Sequence, residues 1–435
     1  MDWMIPESIG SFITYRSAVI DKFSREALRA VPAGSRMNTG LKHAIALFQS
    51  LQTLGIRYVK DPSGSPGTRL LDRVQYPPET LQKLSGDCDD TSVLYAALLA
   101  ALGINTAIIS YPDHVLTMFD TGIFAKNRYS LSVDSTMSVV HNGTLWIPVE
   151  TTLIAQGFLE AWKTAAEKFH QAVAEGQRVA IIDLSEAWKE YKTVSYAQKI
   201  VVENPVSPLS VAKELEKVRH DLDASITTEI LQLERKGSLS HADQNRLGML
   251  YARAGRYAEA VSRFEQLSKQ RKQADILNNL ACTLILNGDE DNALDVLNDA
   301  LQKERSAGIA LNKALCLYLK SSTPAGMEQF VEAMNEANTL LPKGESLDNL
   351  LGIDLSECGG NVRVADKQQK QKKQTIDKRR LKELIRRRVL GRKLKAPAMK
   401  TSEVSTKANI MPFGGIRGAD PEQIAQIVEL LYWYL

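Results

Sequence analysis

The chain has 435 residues, of which 44% are hydrophobic and 24% charged. This composition excludes global disorder, and at roughly 100–200 residues per domain the length predicts two or three domains. The net charge is +3, but residues 367–395 carry fourteen Lys and Arg against Asp377 and Glu383, a net +12 that leaves −9 for the rest. The sequence therefore describes a mildly acidic body with one strongly basic segment.

Neither a membrane span nor a secretion signal is predicted. No run of about 18 apolar residues occurs, and the first residues lack the basic and apolar regions of a signal peptide. We therefore expect a cytoplasmic protein. The four cysteines, Cys88, Cys282, Cys316 and Cys358, are far apart and form no CxxC pair, which argues against a disulfide framework or a zinc finger. Cys282 and Cys316 lie in apolar helical runs and are expected in cores.

The N-terminal part is predicted to be mainly helical. Apolar residues recur with helical spacing over 7–32. A second helix is predicted from Gly40 to Leu54, with Asn38-Thr39 as its N-cap and Gly55 at its end. Residues 56–68 read as a short strand at 56–59 followed by a loop rich in proline and glycine.

The next part combines one helix with several strands. The helix is predicted to begin within Gly86-Asp87-Cys88-Asp89-Asp90 and to run to Leu102, where Gly103 ends it. The later elements are four strands and two helices, at 106–110, 115–119, 129–133 and 145–149, and at 157–175 and 185–191. One helix followed by several strands indicates an α+β domain. Pro205 and Pro208 mark its expected boundary.

From about residue 209 the chain is helical and repetitive. Large and small residues recur in three sets, each displaced by 33 residues: Leu247, Gly248, Tyr251, Ala260, Phe264 and Leu267; Leu280, Ala281, Leu284, Ala293, Leu297 and Ala300; Ala314, Leu317, Gly326, Phe330 and Ala333. This spacing resembles tetratricopeptide (TPR) repeats, whose period is about 34 residues. Small residues would let paired helices approach while large ones fill the space between them. An unspecialised helical bundle is the alternative.

Cys88 lies where a helix N-terminus is predicted. Such an N-terminus stabilises a thiolate through its dipole and free N–H groups, and the same groups can bind an oxyanion. The side chains of Asp87, Asp89 and Asp90 would cap the helix, but their charge disfavours a thiolate. A histidine would then have to act as the base.

His114 is the best candidate for that base, because it precedes a predicted strand in the same domain. Glu150 ends a later strand and fits the third position, which orients the imidazole. Four other histidines are interpreted as structural or surface residues: His43, His141, His170 and His220.

The acidic residues also allow a different interpretation. Asp87, Asp89, Asp90 and Asp120 offer carboxylates that a divalent cation could bind. No EF-hand spacing or paired-histidine motif accompanies them. We therefore expect neither a metal nor a cofactor.

Several stretches together resemble a known family: Tyr76-Pro77-Pro78-Glu79-Thr80-Leu81, Gly86-Asp87-Cys88-Asp89-Asp90, Pro112-Asp113-His114-Val115, Trp146-Ile147-Pro148-Val149-Glu150-Thr151, Phe158-Leu159-Glu160-Ala161-Trp162 and Ala187-Trp188. They are similar to bacterial transglutaminase-like domains of the papain-type cysteine protease superfamily, over roughly residues 40–195. The resemblance implies an α+β fold with Cys88 as nucleophile, His114 as base and Glu150 as acid, where the family usually has Asp. It also implies a polar oxyanion-hole side chain ahead of the cysteine, for which Gln75 and Tyr76 are the candidates.

The predicted organisation has five parts: an N-terminal helical segment (1–39), a transglutaminase-like domain (40–205), TPR-like repeats (206–350), a basic linker or helix (351–410) and a C-terminal amphipathic helix (411–435). Within the fourth part, residues 367–395 resemble a basic helix with a narrow apolar stripe. An anionic membrane surface, a nucleic acid or an acidic protein could bind it, and a solvated helix or linker is the alternative. The C-terminal helix is expected to cover its apolar face against this chain or a partner.

Two functions are compatible with these patterns. In the first, Cys88 attacks a protein or peptide amide, His114 moves the proton, Glu150 orients His114, and the acyl group passes to water or to an amine. The TPR-like region would recruit a partner protein. In the second, the domain is a non-catalytic scaffold within a larger bacterial assembly. The residues beside His114 differ from the usual family pattern and favour this second interpretation.

Overall fold

The computed structural model of the chain describes residues 5–32, 37–60, 73–125, 128, 131–194, 200–320 and 324–341. The loop predicted at 61–68, Cys358, the basic segment 367–395 and the C-terminal helix at 411–435 lie outside these residues. The described chain forms two compact units, divided between Ser225 and Ile226. The sequence places this boundary earlier, near Pro205 and Pro208.

The first unit is a mixture of helices and strands. Its helices are α1 (Ala18–Arg29), α2 (Thr39–Leu54), α3 (Pro77–Lys83), α4 (Cys88–Ala101), α5 (Phe158–Ala174), α6 (Leu184–Glu190) and the first part of α7 (Pro208–Glu234), with short 3-10 helices at Pro6–Ser11, Ser135–Met137 and Thr151–Gln156. The single helical run predicted over 7–32 is in fact two helices. Ser17 has extended backbone angles and is the N-cap of α1, although its side chain makes no capping hydrogen bond.

Local sequence signals set the ends of α2. The Asn38 side chain accepts a hydrogen bond from the N–H of Leu41 at 2.9 Å, which caps the first turn. Gly55 ends the helix with a φ of 85°, in the left-handed region that glycine adopts without steric cost. Both ends agree with the prediction.

The strands form two sheets within the described part of this unit. They are β1 (Arg57–Tyr58), β2 (Ser85–Gly86), β3 (Thr106–Ser110), β4 (Val115–Phe124), β5 (Val139–His141), β6 (Thr144–Val149) and β7 (Ala180–Asp183). β1 and β2 pair in parallel, while the others form an antiparallel sheet in the order β5-β6-β4-β3-β7. The sheet is curled, and this brings its two edge strands together: Nε2 of His141 on β5 lies 3.6 Å from Oδ2 of Asp183 on β7.

One predicted strand is wrong. Residues 131–133 of the strand predicted at 129–133 form a turn and a bend. The strand before β6 is β5, which pairs with β6 on the side opposite β4 and is joined to it by Asn142 and Gly143, whose φ angles are 50° and 80°. An Asn-Gly pair is the residue combination that a tight two-residue hairpin turn requires.

Both faces of the antiparallel sheet are covered. α4 packs on one face and is buried around its whole circumference, from Val93 to Leu99. On the other face, Trp146 and Met118 pack against Phe169 of α5. Each fully buried large apolar side chain contributes about 1.5–3 kcal/mol. The core therefore fixes α4 against the sheet, with its N-terminus near the strand ends.

The second unit is all-α in its described part. After the end of α7 come α8 (His241–Arg253), α9 (Tyr257–Gln270), α10 (Ala274–Asn287), α11 (Glu290–Lys303), α12 (Ala307–Lys320) and α13 (Pro324–Thr339). A Cβ on Gly248 of α8 would lie 2.7 Å from the ring of Phe264 of α9, so glycine permits the close approach of these helices. Buried amides link successive helical pairs, since Asn279 donates to Asn245 at 2.8 Å and Asn312 donates to Asn278 at 2.8 Å. In the described ranges, no helix is long and apolar enough to cross a membrane.

Candidate functional site

Cys88 is the first residue of α4. Asp87 is the N-cap, and its carboxylate accepts the N–H groups of Asp89 and Asp90 at 3.2 Å each. The Asp90 carboxylate in turn accepts a hydrogen bond from the N–H of Asp87 at 3.4 Å, which completes a capping box. Residue 86 must be glycine, because a Cβ there would lie 2.5 Å from the Cβ of Asp90. The sequence around the cysteine therefore builds the helix start that holds it.

The thiol of Cys88 is protonated at neutral pH. Burial raises its pKa to about 12, and the negative charges of Asp87, Asp89 and Glu150 add to the rise. A hydrogen bond from the backbone N–H of Val115 acts in the opposite direction. Burial and the acidic neighbours together thus outweigh the stabilisation that a helix N-terminus gives a thiolate. This sulfur needs a base before it can act as a nucleophile.

His114 and Glu150 are joined directly. Nε2 of His114 lies 2.7 Å from Oε2 of Glu150, and their side chains are 15% and 6% exposed. Burial alone would raise the pKa of Glu150, but hydrogen bonds from His114 and Thr152 hold it below its usual value. An ionised carboxylate can only accept hydrogen bonds, so Nε2 carries the hydrogen. Nδ1 is then the basic ring nitrogen.

Other contacts fix the orientation of the Glu150 carboxylate. Its second oxygen accepts from the N–H of Thr152 at 3.2 Å and from the Thr152 hydroxyl at 2.7 Å. The backbone N–H of Glu150 donates to the carbonyl of Ala161 in α5 at 3.0 Å. Each carboxylate oxygen therefore has a partner, and the side chain presents one oxygen to His114.

The Cys88 sulfur lies beside the start of β4, the strand that directly follows His114. The Val115 N–H that donates to its sulfur belongs to the residue directly after His114. Within the described residues, no hydrogen bond joins the Cys88 sulfur to the His114 ring. The structure thus gathers Cys88, His114 and Glu150 around one strand end, with a proton still on the thiol.

The two oxyanion candidates lie beside the cap of α4. The Gln75 side-chain amide donates to the Asp90 carboxylate and, at 3.3 Å, to the carbonyl of Ser85. Its backbone N–H donates to the other Asp90 oxygen at 2.6 Å. Gln75 therefore anchors the first turn of α4 in this structure. Tyr76 is the N-cap of α3, and its ring stacks on Phe12 with centroids 5.5 Å apart.

The acidic cluster is largely a helix cap. Asp87, Asp89 and Asp90 each place one carboxylate oxygen within 4.8 Å of the others. Asp87 and Asp90 direct oxygens to backbone N–H groups, as caps do. Asp120 is separate, because it lies on β4 and accepts the N–H of Gly122 at 2.8 Å. Asp87, Asp90 and Asp120 thus each have backbone N–H groups as local partners.

The remaining histidines and acids have local roles. His170 lies 2.9 Å from the carbonyl of Ser138, and His141 lies beside Asp183 at the sheet edges. Asp134 accepts hydrogen bonds from the N–H and hydroxyl of Thr136 at 2.8 and 2.7 Å.

Sequence reasoning missed the buried hydroxyls beside the site. Thr91, Ser92, Thr117 and Thr151 are each at most 1% exposed. A signal was present, because Thr91 and Ser92 interrupt an otherwise apolar helix directly after the cysteine turn. Buried hydroxyls require hydrogen-bond partners, so such residues mark contacts with another segment.

In comparisons with known proteins, no protein-family model and no characterised protein matches this sequence.

Proposed function

We propose that the first unit is a transglutaminase-like thiol domain that transfers or hydrolyses the acyl group of a protein or peptide amide. The observation that carries this proposal is the 2.7 Å contact between His114 and Glu150, with the Cys88 sulfur beside the backbone amide of Val115, the residue that follows His114. Cys88 would be the nucleophile, His114 the base and Glu150 the orienting acid. This is also their order along the chain.

The first step is attack by the thiol with simultaneous loss of its proton. Because the pKa of Cys88 is about 12, a free thiolate is scarce at neutral pH. Nδ1 of His114 takes the proton while the sulfur bonds to the carbonyl carbon, whose oxygen takes the negative charge. Glu150 stabilises the imidazolium that forms. General-base attack, rather than a standing thiolate–imidazolium pair, is the mode this charge pattern favours.

The negative oxygen needs hydrogen-bond donors. Asp87 caps the N–H groups of Asp89 and Asp90, which leaves the N–H of Cys88 at the helix start for this role. When the intermediate collapses, the carbon–nitrogen bond breaks, and the amine leaves with the proton from His114. A thioester on Cys88 remains.

The second step regenerates the thiol. Water or an amine attacks the thioester while His114 takes its proton, the carbon–sulfur bond breaks, and the proton passes to Cys88. Hydrolysis and transamidation therefore use the same groups and differ in the acceptor, which access of water to the site decides.

The helical pairs of the second unit are proposed to be TPR-like repeats that recruit a protein partner. The support is the pattern of small and large residues, which at Gly248 and Phe264 packs two helices closely. Stacked helical pairs of this kind form extended binding surfaces. Recruitment by this unit would supply the substrate of the first.

A non-catalytic scaffold is the second candidate function. Two observations favour it: the raised pKa of Cys88, and the lack of a thiol–imidazole hydrogen bond among the described residues. In this case Cys88 is a buried structural thiol, and the His114–Glu150 pair serves stability or binding.

Trapping of an acyl-enzyme separates the two functions. The full chain is treated with p-nitrophenyl acetate at pH 7.5, with and without a primary amine, and acetylation is located by peptide mass spectrometry. If the domain is an active enzyme, Cys88 should be acetylated rapidly and the adduct should be absent in Cys88→Ser. If transamidation dominates, the added amine should also increase the turnover of p-nitrophenyl acetate. If Cys88 acetylates no faster than Cys282, the scaffold function is favoured.

A further inference from the structure

A group of buried hydroxyls lies where three segments of the site meet. We call Thr91, Ser92, Thr117 and Thr151 the hydroxyl cluster; each is at most 1% exposed. The first two belong to α4, the third to β4, and the last follows the end of β6. These are the segments that carry the nucleophile, the base and the acid.

Thr151 is at the centre of this cluster. Its hydroxyl lies 3.0 Å from that of Thr91 and 3.0 Å from that of Ser92. The Thr91 hydroxyl donates to the carbonyl of Asp87 at 2.7 Å. A hydroxyl has a single hydrogen to donate, so Thr91 accepts from Thr151, and Thr151 accepts from Ser92. One side chain thus binds two successive residues of α4.

The cluster also binds the strand that carries the base. The Thr117 hydroxyl donates to the carbonyl of Ser92 at 3.0 Å, and the Ser92 hydroxyl lies 3.4 Å from the carbonyl of Val115. Val115 is the residue whose N–H binds the sulfur of Cys88. The same strand residue therefore contacts both the nucleophile and the cluster.

Apolar packing holds α4 against the sheet, and directional hydrogen bonds add to what sets its axial position. The helix is buried on all sides, and apolar contacts have little directionality. Hydrogen bonds between buried groups are directional and costly to leave unmade. A slide of α4 along its axis would break both bonds of Thr151 while it kept much of the apolar contact.

We propose that Thr151 is a positioning residue that sets the register of α4 against the strand ends, and so places Cys88 relative to His114. Thr151 follows Glu150 directly, and Thr91 lies one helical turn after Cys88, so the bond between these threonines spans the site. The catalytic consequence rests on the proposed function. The effect on the register does not.

The test compares Thr151→Val, which keeps the shape and removes the hydroxyl, with Thr151→Ser, which keeps the hydroxyl. Thr121→Val is the matched control, because Thr121 is also a buried threonine of this sheet and its hydroxyl donates to the carbonyl of Leu145 at 2.7 Å. Ser92→Ala removes one of the two bonds of Thr151 and serves if Thr151→Val does not fold. The readouts are Cys88 alkylation by iodoacetamide from pH 6 to 9, hydrogen exchange at the Val115 amide, and the melting temperature.

In Thr151→Val we expect the His114-dependent part of Cys88 alkylation to fall ~100-fold, because small displacements cost this much in positioned reactions. Exchange at the Val115 amide should rise by about tenfold. Thr151→Ser should restore both values. Thr121→Val should lower the melting temperature without either change, and Ser92→Ala should lie in between.

Wild-type alkylation and exchange in Thr151→Val would overturn the proposal, as would equal effects in Thr121→Val. If His114→Ala leaves wild-type Cys88 alkylation unchanged, the proposed function fails. The exchange at Val115 then decides the positioning role by itself, and an unchanged rate in Thr151→Val overturns it.

Discussion

The sulfur of Cys88 accepts a hydrogen bond from the backbone N–H of Val115, the residue that follows His114. The thiol therefore lies beside the start of the strand that follows the base, and its pKa is still about 12 because burial and nearby carboxylates outweigh this interaction. The site thus places the sulfur next to this strand with a proton that must be removed. The charges of the first helical turn add to the effect of burial on the reactivity of the sulfur.

Asp87→Asn tests the influence of those charges. Asparagine is as good an N-cap as aspartate, so the helix start should persist while one negative charge is lost. Removal of that charge lowers the pKa of Cys88, and one pKa unit gives about tenfold more thiolate at neutral pH. We expect alkylation of Cys88 at pH 7.5 to accelerate by roughly three- to tenfold.

The same change has a defined effect on stability. A folded-state thiol pKa raised above the ordinary value of 9.0 gives stability that is complete below pH 9 and lost as the pH rises toward 12. In Asp87→Asn the loss should still begin near pH 9, which the unfolded thiol sets, but it should be smaller and end at lower pH because only the folded-state pKa falls. Asp134→Asn is the control, because Asp134 also caps a short helix and is exposed. Equal alkylation rates in Asp87→Asn and the wild type would show that the Asp87 charge is not felt at the sulfur.

Glu150→Gln removes the charge that faces His114. An amide cannot stabilise the imidazolium and can present the wrong atom to Nε2, so we expect the acyl-transfer rate to fall by about 10³–10⁴-fold. Glu150→Asp should retain part of the activity, since it keeps the charge on a shorter side chain. Glu160→Gln, an exposed change in the first turn of α5, is the matched control. Activity in Glu150→Gln within twofold of that control would remove Glu150 from the mechanism.

Gly248→Ala tests the close approach of α8 and α9. The added Cβ would lie 2.7 Å from the ring of Phe264, and overpacking of this kind costs about 1–3 kcal/mol. Gly237→Ala is the control, because its Cβ would meet nothing within 4 Å. Urea unfolding of the two variants should show the loss in Gly248→Ala alone. A Gly248→Ala variant as stable as Gly237→Ala would mean that these helices separate at little cost.

Tyr111→Phe and Tyr95→Phe form a pair with opposite expectations. The Tyr111 hydroxyl is buried without a hydrogen-bond partner in the described structure, so its removal should be neutral or stabilising. The Tyr95 hydroxyl donates to the carbonyl of Ala44 at 2.9 Å, and its loss should cost about 1 kcal/mol. Thermal unfolding measures both. If Tyr111→Phe lowers the stability by as much as Tyr95→Phe, the Tyr111 hydroxyl must have a hydrogen-bond partner in solution.

The sequence predicted the elements that depend on local signals. The caps of α2, the start of α4 at Cys88 and the strands β3 and β6 follow from cap residues, glycines and apolar periodicity. The strand predicted at 129–133 failed because alternating apolar residues there imitate a strand, while the Asn142-Gly143 turn nearby was overlooked. Short local patterns cannot decide which segments finally pair.

Sequence reasoning selects candidate site residues but not the contacts that support them. Cys88, His114 and Glu150 stand out through residue type and order. The Thr151 hydroxyl cluster and the bonds from Gln75 to Asp90 depend on segments that meet only in the folded unit. The proton on Cys88 is also a property of the fold, because burial is the main cause of its raised pKa.

The central claim is that His114 activates Cys88, and the alkylation rate of Cys88 in His114→Ala tests it most directly. Iodoacetamide is applied to the wild type and the variant at pH 7.5, and modification of Cys88 is followed by peptide mass spectrometry. We predict a fall of ~100-fold in His114→Ala, because general-base assistance contributes about 10²–10⁴-fold. Indistinguishable rates at Cys88 in the two proteins would contradict the account.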